Sequence, residues 1–259
     1  MTNKQIDRVI RSTVHIIMSS VPELLPKGLG SGVLLRYDDY NILLTAAHVT
    51  DVDAATCIDL MKVTNKGSNL YAVGAMSYLA KFDMDRFEEQ LAQLKVKPAR
   101  VEESDFGQVD LSFVKVPKNL EIVQRDFLLE EIKIKKGVKQ PVDPKMVTEP
   151  SLKKTYSFFG RIKPSLLPVT PVGPAFETQE IFYPGVKFIR KIGHYFEFEL
   201  SSPIADHADF KGTSGAPVMD STGNIVSLIT HGYEGDKLIY GIALSDFLPA
   251  AAAMIADEK

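Results

Sequence analysis

The chain carries one cysteine, Cys57, in 259 residues. No intramolecular disulfide can form, so the fold must rest on a buried core rather than on covalent staples. Long apolar runs are also missing. The stretch from Phe247 to Ile255 falls far short of the ~20 residues that span a bilayer, so no membrane partner is expected. The first twelve residues hold no early apolar stretch and no small-residue cleavage site, which predicts a chain without a signal peptide, soluble and cytoplasmic. Charge of one sign is lacking as well. Lys plus Arg number 30 against 33 Asp plus Glu, a formal charge of −3, which gives no reason to expect nucleic acid as a partner. No cluster of His, Cys, Asp or Glu has metal-ligand spacing and no glycine-rich phosphate loop is evident, so no metal and no other cofactor is expected. Internal repeats and low-complexity stretches are absent.

What remains is an ordinary globular composition, 45% apolar, enough for a sizeable core. Ile6, Val9 and Ile10 recur at helical spacing and predict a short amphipathic helix over residues 3–11. Ser12 to Met18 is rich in β-branched residues and reads as a strand. Gly28 to Gly32 reads as a turn cluster, followed by a strand from Val33 to Arg36, a hairpin loop over Tyr37–Asn41 and a returning strand from Ile42 to Ala46. Phe82, Phe87, Leu91 and Leu94, with charges between them, predict an amphipathic helical insertion over 82–94. Leu111 to Val116 is a strand ended by Pro117. Residues 118–175 are the least readable, with Ser157 to Ile162 the most strand-like part. Strands follow at Phe188–Ile192 and Tyr195–Leu200. A hairpin joins Ala216–Met219 to Ile225–Thr230 through Gly223-Asn224. A last strand runs from Leu238 to Leu244, and Ser245 is placed to cap a terminal helix. Many short strands between Gly, Pro, Asn and Asp turns argue an all-β barrel or sandwich.

Three spots carry chemistry, in the chain order His, Asp, Ser. They are Leu43-Leu44-Thr45-Ala46-Ala47-His48, Asp110 before the apolar strand Leu111–Val116, and Lys211-Gly212-Thr213-Ser214-Gly215-Ala216-Pro217. A serine hydroxyl is a poor nucleophile until a base takes its proton, and an imidazole does so near neutral pH. A carboxylate on the other ring nitrogen fixes the tautomer and stabilises the imidazolium. Glycines around Ser214 permit a tight turn whose N–H groups converge on one point. The amides of Gly212 and Ser214 are therefore the candidate oxyanion hole.

These three spots resemble the signatures of the chymotrypsin/trypsin superfamily of serine peptidases. Gly30-Ser31-Gly32-Val33-Leu34 upstream of the histidine and Tyr240-Gly241-Ile242-Ala243-Leu244 near the end resemble bacterial members. The resemblance implies two six-stranded antiparallel β-barrels with the site between them. Residues 1–130 would supply His48 and Asp110, and residues 131–259 would supply Ser214. It implies a serine endopeptidase acting on protein or peptide through an acyl-enzyme. The alternative is a trypsin-fold binding module whose catalysis is latent or gated by a regulatory protein partner. The chain order excludes the α/β-hydrolase arrangement, in which Asp and His follow a Gly-X-Ser-X-Gly turn. The sequence departs from animal trypsins at Thr213, where those enzymes carry an Asp that pairs with a freed N-terminus. Activation by N-terminal cleavage is therefore not expected.

Ile229, Thr230 and His231 fall on the strand that the resemblance assigns to the primary specificity pocket. His231 could receive an acidic substrate side chain, but its spacing from Ser214 is about two residues longer than in glutamate-specific relatives. A solvent-facing histidine at a strand end is the expected reading. His207 and Asp209 precede the nucleophile and are candidates for the same pocket. His15 and His194 are expected to be structural strand residues, and Cys57 a small buried one.

Overall fold

In the computed structural model the described residues are 2–20, 26–64, 67–80, 109–129, 131–170 and 173–257. The expected insertion over 82–94 lies outside them. The chain opens with α1 (Asn3–Ser12), whose start is fixed by a capping box. The Thr2 side chain accepts from the Gln5 amide, and the Gln5 side chain accepts from the Thr2 amide. The periodic Ile6, Val9 and Ile10 are the buried face of this helix.

The first sheet holds seven strands: β1 (Thr13–Ser19), β2 (Pro26–Arg36), β3 (Tyr40–Thr45), β4 (Ala55–Thr64), β5 (Gly67–Ala72), β6 (Ser77–Ala80) and β7 (Leu111–Pro117). Their spatial order is β5-β4-β1-β2-β3-β7-β6, with every neighbouring pair antiparallel. The described residues place seven strands here where six are expected, in a half-barrel sheet consistent with the two-barrel fold, and its edge strands, β5 and β6, do not pair with each other among them. A second difference concerns Gly28 to Gly32. These residues do not form a turn, because β2 runs straight through them. The glycines answer to close packing instead. A Cβ on Gly30 would meet Val49 Cγ1 at 2.3 Å, and one on Gly32 would meet the Leu44 carbonyl at 2.7 Å.

Four short strands follow in two small ladders. β8 (Val123–Gln124) pairs with β11 (Gly137–Val138), and β9 (Phe127–Leu129) pairs with β10 (Ile132–Ile134). The remaining strands close a six-stranded antiparallel barrel, as expected. They are β12 (Thr155–Thr170), β13 (Gly173–Ile192), β14 (Tyr195–Glu199), β15 (Pro217–Asp220), β16 (Ile225–Gly232) and β17 (Leu238–Ala243), in the order β12-β13-β14-β17-β16-β15. β12 and β13 are far longer than the sequence pattern indicates. Irregular register at Ile162/Ser165, next to Lys163 at φ 51°, breaks the alternation that would have revealed them. The terminal helix spans Leu244–Asp257. Ser245 lies inside it, and its hydroxyl donates to Glu149 rather than capping the helix start.

Both halves share one core. Val33, Leu44 and Phe113 of the first sheet sit in the same buried cluster as Phe159, Leu228 and Ile242 of the barrel. α1 packs on β12 and β15, with Arg8 donating to the Thr222 carbonyl. The terminal helix packs on β6 and β7 as well as β16. Each of the two helices thus touches both halves, including the one whose strands lie at the far end of the sequence.

Candidate functional site

His48 sits on α2 (Ala47–Thr50), a single helical turn directly after β3. The small residues Ala46 and Ala47 are fully buried, which lets this turn lie flat on the sheet. The hydroxyls of Thr50 on α2 and Ser112 on β7 are hydrogen bonded at 2.8 Å, which ties the histidine turn to the strand behind Asp110.

Asp110, one residue before β7, has no exposed surface. Both of its carboxylate oxygens face His48. Oδ1 accepts from the His48 backbone amide at 2.9 Å, and Oδ2 lies 2.6 Å from His48 Nδ1. This pairing favours the tautomer with its proton on Nδ1, which leaves Nε2 as the acceptor. The Asp110 amide donates to the phenol oxygen of Tyr195 at 3.0 Å. Tyr195 belongs to β14 of the barrel, so the acid is steadied from both halves.

Burial on its own lowers the His48 pKa. The Asp110 charge and its hydrogen bond outweigh that and hold the imidazole above its ordinary value. For Asp110 burial pushes upward, but the His48 charge and hydrogen bonds prevail and hold the carboxyl below the usual range. The Tyr195 phenol is raised, by burial first and then by the Asp110 charge.

The nucleophile turn runs from Phe210 to Ala216. Gly212 has φ +106° and Gly215 φ +83°, both in the region that favours glycine. Space demands glycine too. A Cβ on Gly212 would meet the Arg161 carbonyl at 2.3 Å, and one on Gly215 the Ser31 carbonyl at 2.0 Å. The amides of the turn alternate in direction. Lys211 and Thr213 donate to the carbonyls of His207 (2.9 Å) and Phe210 (3.0 Å). Gly215 and Ala216 donate to the carbonyls of Ile229 (2.7 Å) and Thr213 (2.8 Å). The amides of Gly212 and Ser214 make no hydrogen bond among the described residues. Ser214 is partly exposed and its carbonyl accepts from the Ser31 amide at 2.8 Å. Among the described residues no hydrogen bond joins His48 to Ser214, a spacing common in unliganded hydrolases.

His231 departs from its expected place. Both ring nitrogens are buried rather than facing solvent. The ring lies against that of His48, with centroids 5.7 Å apart and planes tilted by 41°. Burial, aided by the His48 charge and opposed by Asp110, holds its pKa down at about 4. Ile229 and Thr230 are committed to the barrel, Ile229 in its core and Thr230 through a bond from its hydroxyl to the Tyr240 carbonyl at 3.1 Å. His207 lies on an exposed 3-10 turn, His207–Asp209, ahead of the nucleophile. His15 is buried in β1 and Cys57 in β4, as expected. His194 is instead at the exposed turn between β13 and β14, 3.3 Å from Asp246.

Ser31 and Tyr195 are the contributors that sequence reasoning missed. Ser31 sits in a glycine-rich motif, but its partners lie about 180 residues away. Tyr195 reads as one more core aromatic of an alternating strand.

Solved structures of known proteins decide the fold. The chain superposes on the serine endoprotease from Yersinia pestis with a TM-score of 0.54 and 14% identity, over 100% of this chain and 68% of that one. It superposes on human heparin binding protein with a TM-score of 0.55 and 10% identity, over 98% of this chain and 94% of that one. This is a chymotrypsin/trypsin fold. No protein-family model and no curated protein matches the chain. One neighbour is an endoprotease and the other a heparin binding protein, so the chemistry rests on the site and not on the fold.

Proposed function

We propose that the protein is a serine endopeptidase, with His48 as general base, Asp110 as the group that orients it and Ser214 as nucleophile. The observation that carries this reading is the two-point grip of a fully buried Asp110 carboxylate on His48, at 2.9 and 2.6 Å. With its Nδ1 side held by Asp110, the ring has Nε2 as the acceptor that a general base needs.

In this mechanism Ser214 Oγ attacks the peptide carbonyl while His48 Nε2 takes its proton. The imidazolium that forms is stabilised by Asp110. The amides of Gly212 and Ser214 hold the oxyanion, and His48 then returns the proton to the leaving amine. Water, activated by the same base, releases the acyl group from Ser214. The substrate is a protein or peptide, and its backbone pairs with the strand edge near His231.

A fluorophosphonate probe tests the reading. It should attach to Ser214, and His48→Ala or Ser214→Ala should abolish attachment. A second reading is a binding module with gated catalysis, favoured by the missing hydrogen bond between His48 and Ser214. Absence of labelling in the folded wild-type protein would sink the endopeptidase reading and favour this one.

A further inference from the structure

The nucleophile turn poses a mechanical problem. It contains two residues of positive φ, Gly212 and Gly215, and glycine gives up the most conformational freedom on being fixed. An oxyanion hole works only if its donors are in place before charge develops. Something must hold this turn still.

No ion pair involves the residues of the turn among the described residues, and the residue before the nucleophile, Thr213, is neutral and fully buried. Its hydroxyl turns back to the Phe210 carbonyl at 2.8 Å, within the same loop. Residues 3–12 form a capped helix that packs on β12 and β15.

One residue outside the turn grips it at two points. Ser31, in the middle of β2 and without exposed surface, donates its hydroxyl to the Gly212 carbonyl at 2.8 Å and its amide to the Ser214 carbonyl at 2.8 Å. These two carbonyls flank the Thr213–Ser214 peptide, which carries one candidate oxyanion donor, and the first belongs to Gly212, whose own amide is the other. Ser31 is braced in turn, its own carbonyl accepting from the Thr45 hydroxyl at 2.7 Å. Thr45 is the last residue of β3, just before the histidine turn. The chain of bonds therefore runs from the strand that delivers His48, through Ser31, to the loop that delivers Ser214. It crosses from the half-barrel to the barrel.

We propose that Ser31 is a positioning residue whose side-chain hydroxyl locks the oxyanion turn in the folded chain. This inference rests on the endopeptidase reading for its catalytic consequence but not for its structural one. Substrate never touches Ser31. The residue acts through the Gly212–Thr213 peptide. The backbone bond from the Ser31 amide survives any substitution short of proline, so the hydroxyl alone is what a variant removes.

The test compares Ser31→Ala with Ser227→Ala in the full-length protein. Ser227 is an equally buried serine whose hydroxyl donates to the Ile242 carbonyl at 2.7 Å, within the same barrel but away from the turn. Amide hydrogen exchange of the peptide covering residues 210–216 is the first readout. Loss of one buried hydrogen bond corresponds to about tenfold faster local opening. Ser31→Ala should show that acceleration, and Ser227→Ala should not. Fluorophosphonate labelling is the second readout. Ser31→Ala should lower its rate about tenfold or more, with the pH midpoint set by His48 unmoved, and Ser31→Thr, which keeps the hydroxyl, should recover it. Equal exchange at 210–216 in the two alanine variants overturns the lock, whatever the labelling does. Failure of the wild type to label, with the exchange difference present, overturns the endopeptidase reading and leaves the lock standing.

Discussion

At the scale of single residues, His48 and His231 are two imidazoles in one site held in opposite states. His48 gains a carboxylate and is easier to protonate than a free histidine. His231 gains mainly burial and is harder to protonate. Their effects on stability have opposite signs. The raised His48 pKa contributes stability that is full below the unfolded value near 6.5 and is lost as pH rises through the folded value. The depressed His231 pKa means that the unfolded chain binds the extra proton first. Stability therefore falls as pH drops from about 6.5 toward 4, by up to about 3 kcal/mol for this one residue. Buried His15 is held low as well and pulls the same way. Urea unfolding at pH 7 and pH 5 checks this. His231→Asn, which cannot protonate, should lose less stability on acidification than the wild type. An identical loss in both would show that His231 is not the group responsible.

At the scale of elements, the glycines of β2 decide how closely the histidine turn can approach the sheet. Gly30 has Val49 directly above it, one residue from His48. Gly30→Ala should push α2 outward and pull the His48 ring off line. Misplacement of a catalytic group by about 1 Å costs on the order of 100-fold, so the fluorophosphonate labelling rate should fall by about 10- to 100-fold. The double variant Gly30→Ala/Val49→Ala opens the missing space and should regain most of that rate. Failure of the double variant to recover would mean that the glycine serves β2 itself and not its fit to α2.

The same strand shows what sequence can and cannot disclose. The candidate trio stood out in the sequence because each member sits in a short local pattern: small residues before His48, an apolar strand after Asp110, glycines around Ser214. The glycines of β2 read as a turn because glycine marks turns more often than tight packing, and only the tertiary contact with Val49 separates the two. The hairpin of β12 and β13 was hidden by register shifts that spoil a period of two. How far the first sheet curves toward closure was not legible for a related reason. Strand count follows from local pattern, whereas closure depends on edges meeting in space. His231 was misplaced because burial at a strand end depends on what packs over it, here the His48 ring.

At the scale of the whole molecule, a buried ion pair ties the two halves together. Arg161 of β12 donates to Asp59 of β4 at 2.9 Å, with Glu180 of β13 at 3.6 Å from the same guanidinium. Arg161 and Asp59 are both almost fully buried. Removing one partner strands the other charge in a poor solvent. Asp59→Asn should lower unfolding free energy by roughly 3 kcal/mol, at most, since Glu180 still faces the arginine. The urea midpoint measures it, and a change within a few tenths of a kcal/mol would show that water or Glu180 takes over the role. Because the Arg161 carbonyl lies against Gly212, a loosened pair should also slow probe labelling.

The crossed placement of the two end helices has an architectural consequence. Each half is roofed by a segment made at the opposite end of the chain, so neither half is finished when its own strands are. A ribosome that has produced only the first sheet has produced a surface without its terminal helix, and the barrel in turn depends on residues synthesised first of all. The cleft between the halves therefore comes into being last, when the final turns dock, and a chain that lacks the terminal helix loses packing on β16 of the barrel as well as on β6 and β7 of the first sheet.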